Sequence, residues 1–267
     1  AALASTSSVP YSSAAVSKPT FIDIEDASWM WGILITDKDR VSTTGICNFP
    51  SHMGSLNYGY ASVGGWRRIS PKLYNQIPES DVRKGWFLDD TGVSVNLPAA
   101  AQAYITKKGA PVYTQVKYGP MNDEWGSNNN ATDVILMRVE EMYLIKAEAQ
   151  AMNNDVSGGV NTLNSFVNTY RDPSYKCTAT TGEAVQEAVW HQRRIEFWGE
   201  GLAYFDIMRL NKGVNRLGCG FPKTAVFNIV AGDPVQIYSI PNKEVQYNPL
   251  LENNPLVSAP TPIPDEE

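Results

Sequence analysis

At Asp133 the sequence changes period, and that change limits what the chain can fold into. From residue 133 to 152, Leu136, Val139, Met142 with Tyr143, Ala147 and Ala151 recur at three- and four-residue steps, one apolar face of an α-helix. Arg138, Glu141 and Glu148 fall largely off that stripe. Residues 156–170 repeat the pattern with Val160, Leu163, Val167 and Tyr170, after the short turn Asn153-Asn154-Asp155. Two helices joined so tightly form an antiparallel hairpin, close in total length to one tetratricopeptide unit of about 34 residues. One such unit cannot bury its own apolar face and needs neighbours.

The neighbours begin with a third helix. Thr180 and Glu183 have capping-box spacing, which predicts a start at Thr180 and a run through Arg193, Arg194, Ile195 and Phe197 to about Gly199. A fourth helix is expected over roughly Leu202–Leu210, with Gly213 as its stop. Residues 214–260 read as short strands and Pro-punctuated coil, and the last dozen residues as a disordered tail.

Before residue 133 the reading differs. Residues 21–126 show little helical periodicity; apolar runs such as Trp29–Ile35 and Val112–Tyr118 are separated by Gly, Pro, Asn and Asp, as in short strands, hairpins and long loops. Trp29 and Trp31, inside such a run, are expected in the core. Residues 5–20 are Ser- and Pro-rich and loop-like. Ala1-Ala2-Leu3-Ala4-Ser5 reads like the end of a helix, which predicts that the chain begins inside a larger protein. The resulting division is a loop-rich region 1–132, a helical region 133–256 and a tail 257–267.

Several function classes lose support on charge and motif. Twenty-eight Asp and Glu against 22 Lys and Arg leave a net charge of −6, with no dense basic run for nucleic acid phosphates or an anionic membrane surface. No apolar stretch is long enough to span a bilayer. Cys47, Cys177 and Cys219 form no CxxC; one disulfide with one free thiol, or three reduced thiols, both fit the count. His52 and His191 are the only histidines, without HExxH, GxSxG or nucleotide-loop company, so no metal or cofactor is expected.

Two groups of residues could carry chemistry. Glu196 and Glu200 lie four apart on one helix face, and paired carboxylates are the equipment of glycoside hydrolysis. Arg193, Arg194 and Arg209 stand close enough in sequence to neutralise them, which lowers a carboxyl pKa where a catalytic acid needs a raised one, so a buried ion-pair network is the expected use. The other group is the segment Asn48–Trp66 (NFPSHMGSLNYGYASVGGW), rich in Gly and aromatics and almost without aliphatics. It predicts a loop displaying Tyr58, Tyr60 and Trp66, with Asn57, Arg67 and Arg68 beside them. Sugar rings stack their C–H faces on such aromatics, and amide and guanidinium groups take their hydroxyls. Packing in the core is the competing use of the same three rings. Trp125, in MNDEWGSNNN, is a further candidate.

Three segments then carry a resemblance. LMRVEEMYLIKAEA (136–149), RRIEFWGEGLAYFDIMRLNKG (193–213) and IPNKEVQYNP (240–249) with ENNP (252–255) resemble, in order and spacing, the SusD/RagB family of Bacteroidota. Arg138, Glu141, Tyr143, Leu144, Ala147, Glu148 and Ala149 fit the first motif. Arg193, Arg194, Glu196, Glu200, Gly201, Asp206 and Arg209 fit the second, with Ala203 where Arg or His is usual. Ile240, Pro241, Glu244, Asn248, Pro249, Asn254 and Pro255 fit the third.

The resemblance implies a mainly α, SusD-like fold: a tetratricopeptide-type helix pair with loop-rich and short β-hairpin segments. A typical member is about twice this length, so it also implies an N-terminal half carrying a lipid-anchoring cysteine. It implies a surface lipoprotein of the outer membrane that binds oligosaccharide or starch-like polysaccharide and delivers it to a TonB-dependent SusC-like transporter, without catalysis. Family ligand sites sit on variable loops, so the motif positions are read as structural. A peptide- or protein-binding helical scaffold is the alternative, and a hydrolase using Glu196 and Glu200 a third.

Overall fold

The computed structural model describes residues 11–14, 16–43, 48–255 and 257–262. The opening Ala1–Ser5 expected as a helix end, Cys47, and residues 263–267 of the expected tail lie outside the described residues. In chain order the main elements are β1 (Trp29–Ile33), α1 (Arg40–Thr43), α2 (Phe49–Met53), α3 (Pro71–Tyr74), α4 (Ala99–Lys107), β2 (Val134–Arg138), α5 (Val139–Met152), α6 (Val156–Tyr170), α7 (Gly182–Glu196), α8 (Ala203–Arg209), β3 (Val214–Asn215), β4 (Asn228–Ile229) and α9 (Asn242–Tyr247). The fold is mainly α. The chain divides into two compact units, Ala1–Ile69 with Leu73–Glu200, and Ser70–Lys72 with Gly201–Glu267.

In the first unit α5 and α6 form the expected hairpin, and α7 packs on α5. Asn154 turns the chain with φ at 64°, and Asp155 caps α6 by accepting from Gly158 N at 2.9 Å. The two helices approach so closely at Gly159 that a Cβ there would lie 2.7 Å from the Ala147 carbonyl oxygen. Val139, Leu144, Ala147 and Ala151 of α5, Leu163, Phe166 and Val167 of α6, and Val185, Val189 and Ile195 of α7 are buried. The face that one hairpin could not bury is thus closed by α7.

The α5 stripe starts later than the periodicity predicted. Residues 134–138 are the strand β2, paired antiparallel with β1 from Trp29↔Arg138 to Ile33↔Val134. Asp133 anchors this arrangement, its carboxylate accepting from Ile24 N at 2.8 Å and Ile35 N at 2.7 Å. Leu136 is consequently exposed, and Leu144 takes the core position. Trp29 is buried but Trp31 is 63% exposed. The register slips between these two residues, and the slip breaks the alternation that would keep i and i+2 on one face.

Three further expectations shift. The cap of α7 is Thr181, not Thr180; its Oγ1 accepts from Ala184 N at 3.2 Å. Residues 99–107 form α4 where no helix was expected. Pro98 precedes an Ala-rich start, and Ala has the highest helix propensity, so propensity without a clear stripe is enough here. In the second unit α8 ends at Arg209 with Leu210 as its cap, and the left-handed residue just beyond it is Asn211, at φ 49°, where Gly213 was expected as the stop.

Among the described residues, two apolar clusters pack in the first unit beside the α5–α6–α7 core. The larger joins Phe21, Trp29, Ile69, Trp86, Phe87, Tyr118 and Ile195 among others; the smaller is Leu56, Leu88, Ala101, Ile105 and Val116. The second unit is held by other devices. Arg216 lies 4.1 Å over the Phe227 ring and 4.8 Å over Phe221. Asn253 bonds both the N–H and the carbonyl of Ile240, and Asn254 donates to Tyr238 O at 2.7 Å.

Candidate functional site

The two carboxylates Glu196 and Glu200 lie at the centre of a buried charge cluster. Glu196, at the end of α7, accepts from Arg138 Nη1 at 2.5 Å, Arg171 Nε at 2.7 Å and Arg83 Nη1 at 3.2 Å. Glu200 accepts from Arg138 Nε and Nη2, both at 2.9 Å, and from Lys117 Nζ at 2.5 Å. Glu140 pairs with Arg138 and Arg171, and Asp81 with Arg83. Four cations thus face four carboxylates, all of them buried or nearly so.

The neutralising partners differ from those expected by proximity in sequence. Arg193 pairs with Glu141 at 3.0 Å, Arg194 lies over the Trp190 ring, and Arg209 bonds Asp206. Arg138, read as off the apolar stripe, is buried at the end of β2, as is Glu148 on α5.

The electrostatics follow from this geometry. Burial pushes the Glu196 carboxyl up, but Arg171, Arg138 and Arg83 outweigh it and hold the carboxyl well below its ordinary value. Burial likewise raises Glu200, and Arg138 and Lys117 overcome it. Lys117 is pulled down to about 8 by burial, against the opposing charge of Glu200. Such a cluster ties β2, α5, α7 and the loops carrying Arg83, Lys117 and Arg171 to one another. Its two central carboxylates are held ionised and their side chains are buried.

The tyrosine loop is built differently. Asn48 caps α2 by accepting from Ser51 N at 2.8 Å, and Ser51 Oγ accepts from Tyr60 N at 2.9 Å. Tyr58 N donates to Ser127 O, and Gly126 N to Leu56 O, both at 2.8 Å, so the loop is laced to the Trp125 segment. Gly59 sits against Ser51, where a Cβ would be 2.6 Å from the hydroxyl oxygen. Asn57 is buried and donates to Asn130 Oδ1 at 2.5 Å. The segment is therefore mostly interior, with short helical turns, rather than an open loop. From this scaffold Tyr58 and Tyr60 stand out, 48% and 43% exposed.

The other candidates distribute around these two rings. Trp66 and Trp125 are partly buried against the smaller apolar cluster, together with Tyr104 of α4. Arg67 places its guanidinium 5.6 Å from the Tyr60 ring centre, and the His52 ring lies 5.0 Å from it at a tilt of 30°. Lys108, just past α4, lies 5.8 Å from the Tyr58 ring centre and 5.7 Å from that of Tyr104. Lys108 and Tyr104 were not among the sequence candidates; their only signal is the aromatic and basic character of a segment distant from the loop.

A cavity of about 370 Å³ also opens in the first unit, walled by Tyr74, Tyr113 and Phe87 with Glu79, Asp89 and Asp90. Tyr113 adopts φ 65° there. Among the described residues no group of His, Cys, Asp and Glu is arranged to hold a metal ion, and no helix is long and apolar enough to cross a membrane. Cys177 and Cys219 carry free thiols.

Known proteins place this architecture. Residues 74–256 match the SusD family model. Among solved structures, a SusD superfamily protein from Bacteroides thetaiotaomicron superposes with TM-score 0.69 at 21% identity, over 92% of this chain and 53% of that one. A SusD-like carbohydrate binding protein from Bacteroides vulgatus gives 0.56 at 24% identity, over 84% and 40%. A SusD-like protein from Bacteroides fragilis gives 0.61 at 14%, over 94% and 60%. These identities bear on the fold alone, and the chain spans about half the length of the structures it matches. No curated protein matches.

Proposed function

Because the chain belongs to the SusD family, we propose that it binds glycan, an oligosaccharide or a starch-like polysaccharide, and passes it to a TonB-dependent SusC-like transporter at the outer face of the outer membrane. In this reading the whole protein is lipid-anchored through an N-terminal cysteine, and its N-terminal half supplies further helix pairs. The carbohydrate-binding description of the Bacteroides vulgatus neighbour supports it.

The observation that carries the reading is the tyrosine loop. Two rings half open to solvent, rising from a segment fixed by buried hydrogen bonds, form a preorganised stacking surface that loses little entropy on binding. Arg67 beside Tyr60 and Lys108 beside Tyr58 supply donors for hydroxyls. Trp125 and Trp66 widen the surface, while Asn57 contributes only by holding the loop. A shallow site of this kind gives affinities of about −4 to −8 kcal/mol.

The protein is not a hydrolase in this reading. A general acid must be protonated and reachable, whereas Glu196 is fully buried and held ionised by three guanidinium groups. A peptide-binding role has one observation in its favour: Trp31, Ile33, Leu34, Leu136 and Met137 are exposed on and beside the β1–β2 ribbon.

A glycan array probed with the protein and with a Tyr58→Ala/Tyr60→Ala/Trp66→Ala variant tests the reading. Binding to one polysaccharide class that the variant loses supports function and site together. Binding that the variant keeps retains the function and moves the site. Silence across the array removes the glycan reading.

A further inference from the structure

We propose that the tyrosine surface selects acidic glycans, those bearing uronate or sulfate groups, over neutral ones. The inference rests on the glycan-binding reading and adds the ligand's charge. It starts from an imbalance. The chain carries −6 overall, yet the groups standing over the two exposed tyrosines are cations. Arg67 reaches the Tyr60 ring and Lys108 the Tyr58 ring. Both side chains belong to the part of the surface where the sugar would stack.

These cations differ from the buried ones of the first unit. Arg83, Lys117, Arg138, Arg171 and Arg193 each hold a carboxylate. Arg67 instead donates to the Gly65 carbonyl and approaches His52, and Lys108 lies against the Tyr58 and Tyr104 rings. Among the described residues neither has a carboxylate partner. Asp123 and Glu124, in the segment laced to the loop, form no ion pair with either. A ring face attracts a cation only through its quadrupole, whereas a carboxylate or sulfate oxygen brings a full opposite charge. The ring contacts also hold each cation within about 6 Å of a ring centre, within reach of an anionic substituent on a sugar bound beside the ring.

Magnitudes set the size of the effect. An exposed ion pair contributes about 0.2–1 kcal/mol, so two cations give a preference of roughly two- to thirtyfold at low salt. Screening over about 8 Å at physiological ionic strength makes that preference salt-dependent. The chain's net negative charge works against acidic polymers, so without these two side chains the discrimination should vanish or reverse.

The test is affinity electrophoresis through polymers matched in backbone: hydroxyethylcellulose with carboxymethylcellulose, methyl-esterified homogalacturonan with polygalacturonate, dextran with dextran sulfate. It is run on the protein and on an Arg67→Gln/Lys108→Gln variant whose melting temperature is checked first. The expected result is a ratio of acidic to neutral affinity of about tenfold for at least one pair, falling toward unity in 0.5 M salt and in the variant. Equal affinity within every pair overturns the inference while leaving glycan binding in place. An acidic preference that survives the double substitution overturns the assignment to Arg67 and Lys108. Retardation by no polymer removes both the inference and the reading beneath it.

Discussion

The charge cluster around Glu196 and the tyrosine loop around Tyr58 belong to the same unit and use the same residue types, Arg, Lys and aromatic rings, to opposite ends. In the cluster, Arg138 is buried, sits over the Phe21 and Phe197 rings, and meets three carboxylates. In the loop, Arg67 is half-exposed, sits by one ring, and meets none. Desolvation makes the difference. A buried cation must be fully paired or it costs several kcal/mol, so its chemistry is spent on the fold. A cation at the surface keeps its hydration and can exchange it for a ligand. What a residue is available for is decided by what already satisfies it, not by its type.

The comparison is broken most sharply by substitution in the cluster. Glu196→Ala removes the carboxylate shared by three guanidinium groups, leaving four buried cations facing three carboxylates, and is expected to cost about 3–5 kcal/mol. Urea unfolding should show this as a lower midpoint or as failure to fold. Next in size is acid. Glu196 and Glu200 are held below the ordinary glutamate value, so the unfolded chain takes up protons that the folded chain refuses. Their contribution is fully present above that value, about 4.3, and is lost as the pH falls through the lower folded values. Denaturation midpoints across pH 3–7, flat above about 5 and dropping below, are the expected outcome.

Asn57→Ala sharpens the comparison from within the loop. It removes a buried donor and leaves Asn130 unsatisfied, at about 1–3 kcal/mol by thermal melting, and it loosens the platform beneath Tyr58. Smallest for stability are the tyrosines themselves. Tyr58→Ala and Tyr60→Ala should each shift unfolding by less than about 0.5 kcal/mol. Each should nevertheless weaken glycan binding about tenfold, roughly 1.4 kcal/mol, by titration calorimetry.

The two regions were not equally legible in the sequence. The three motifs marked the family, and the 3-4 stripe gave α5, α6 and their turn, because both signals are local. The start of α5 misled because Leu136 and Val139 continue the stripe through a strand whose partner lies more than a hundred residues earlier. The partners of Glu196 were missed for the same reason: Arg138 is 58 residues away and Arg83 113. Sequence spacing exposes only neighbours on one helix, so it offered Arg193 and Arg194 instead. In the loop, composition drew attention to Tyr58 and Tyr60, the two rings that stand out to solvent. Nothing in it showed that Asn57 would be consumed by Asn130, or that Lys108 would come from beyond α4 to stand over Tyr58.

A crystal structure with a bound oligosaccharide of the class selected by the array tests the central claim most directly. The account predicts a sugar ring within about 4 Å of Tyr58 or Tyr60, with a sugar oxygen bonded to Arg67 or Lys108 and the Glu196 cluster unchanged. A sugar lodged in the cavity walled by Tyr74 and Tyr113, with both loop tyrosines bare, would contradict it.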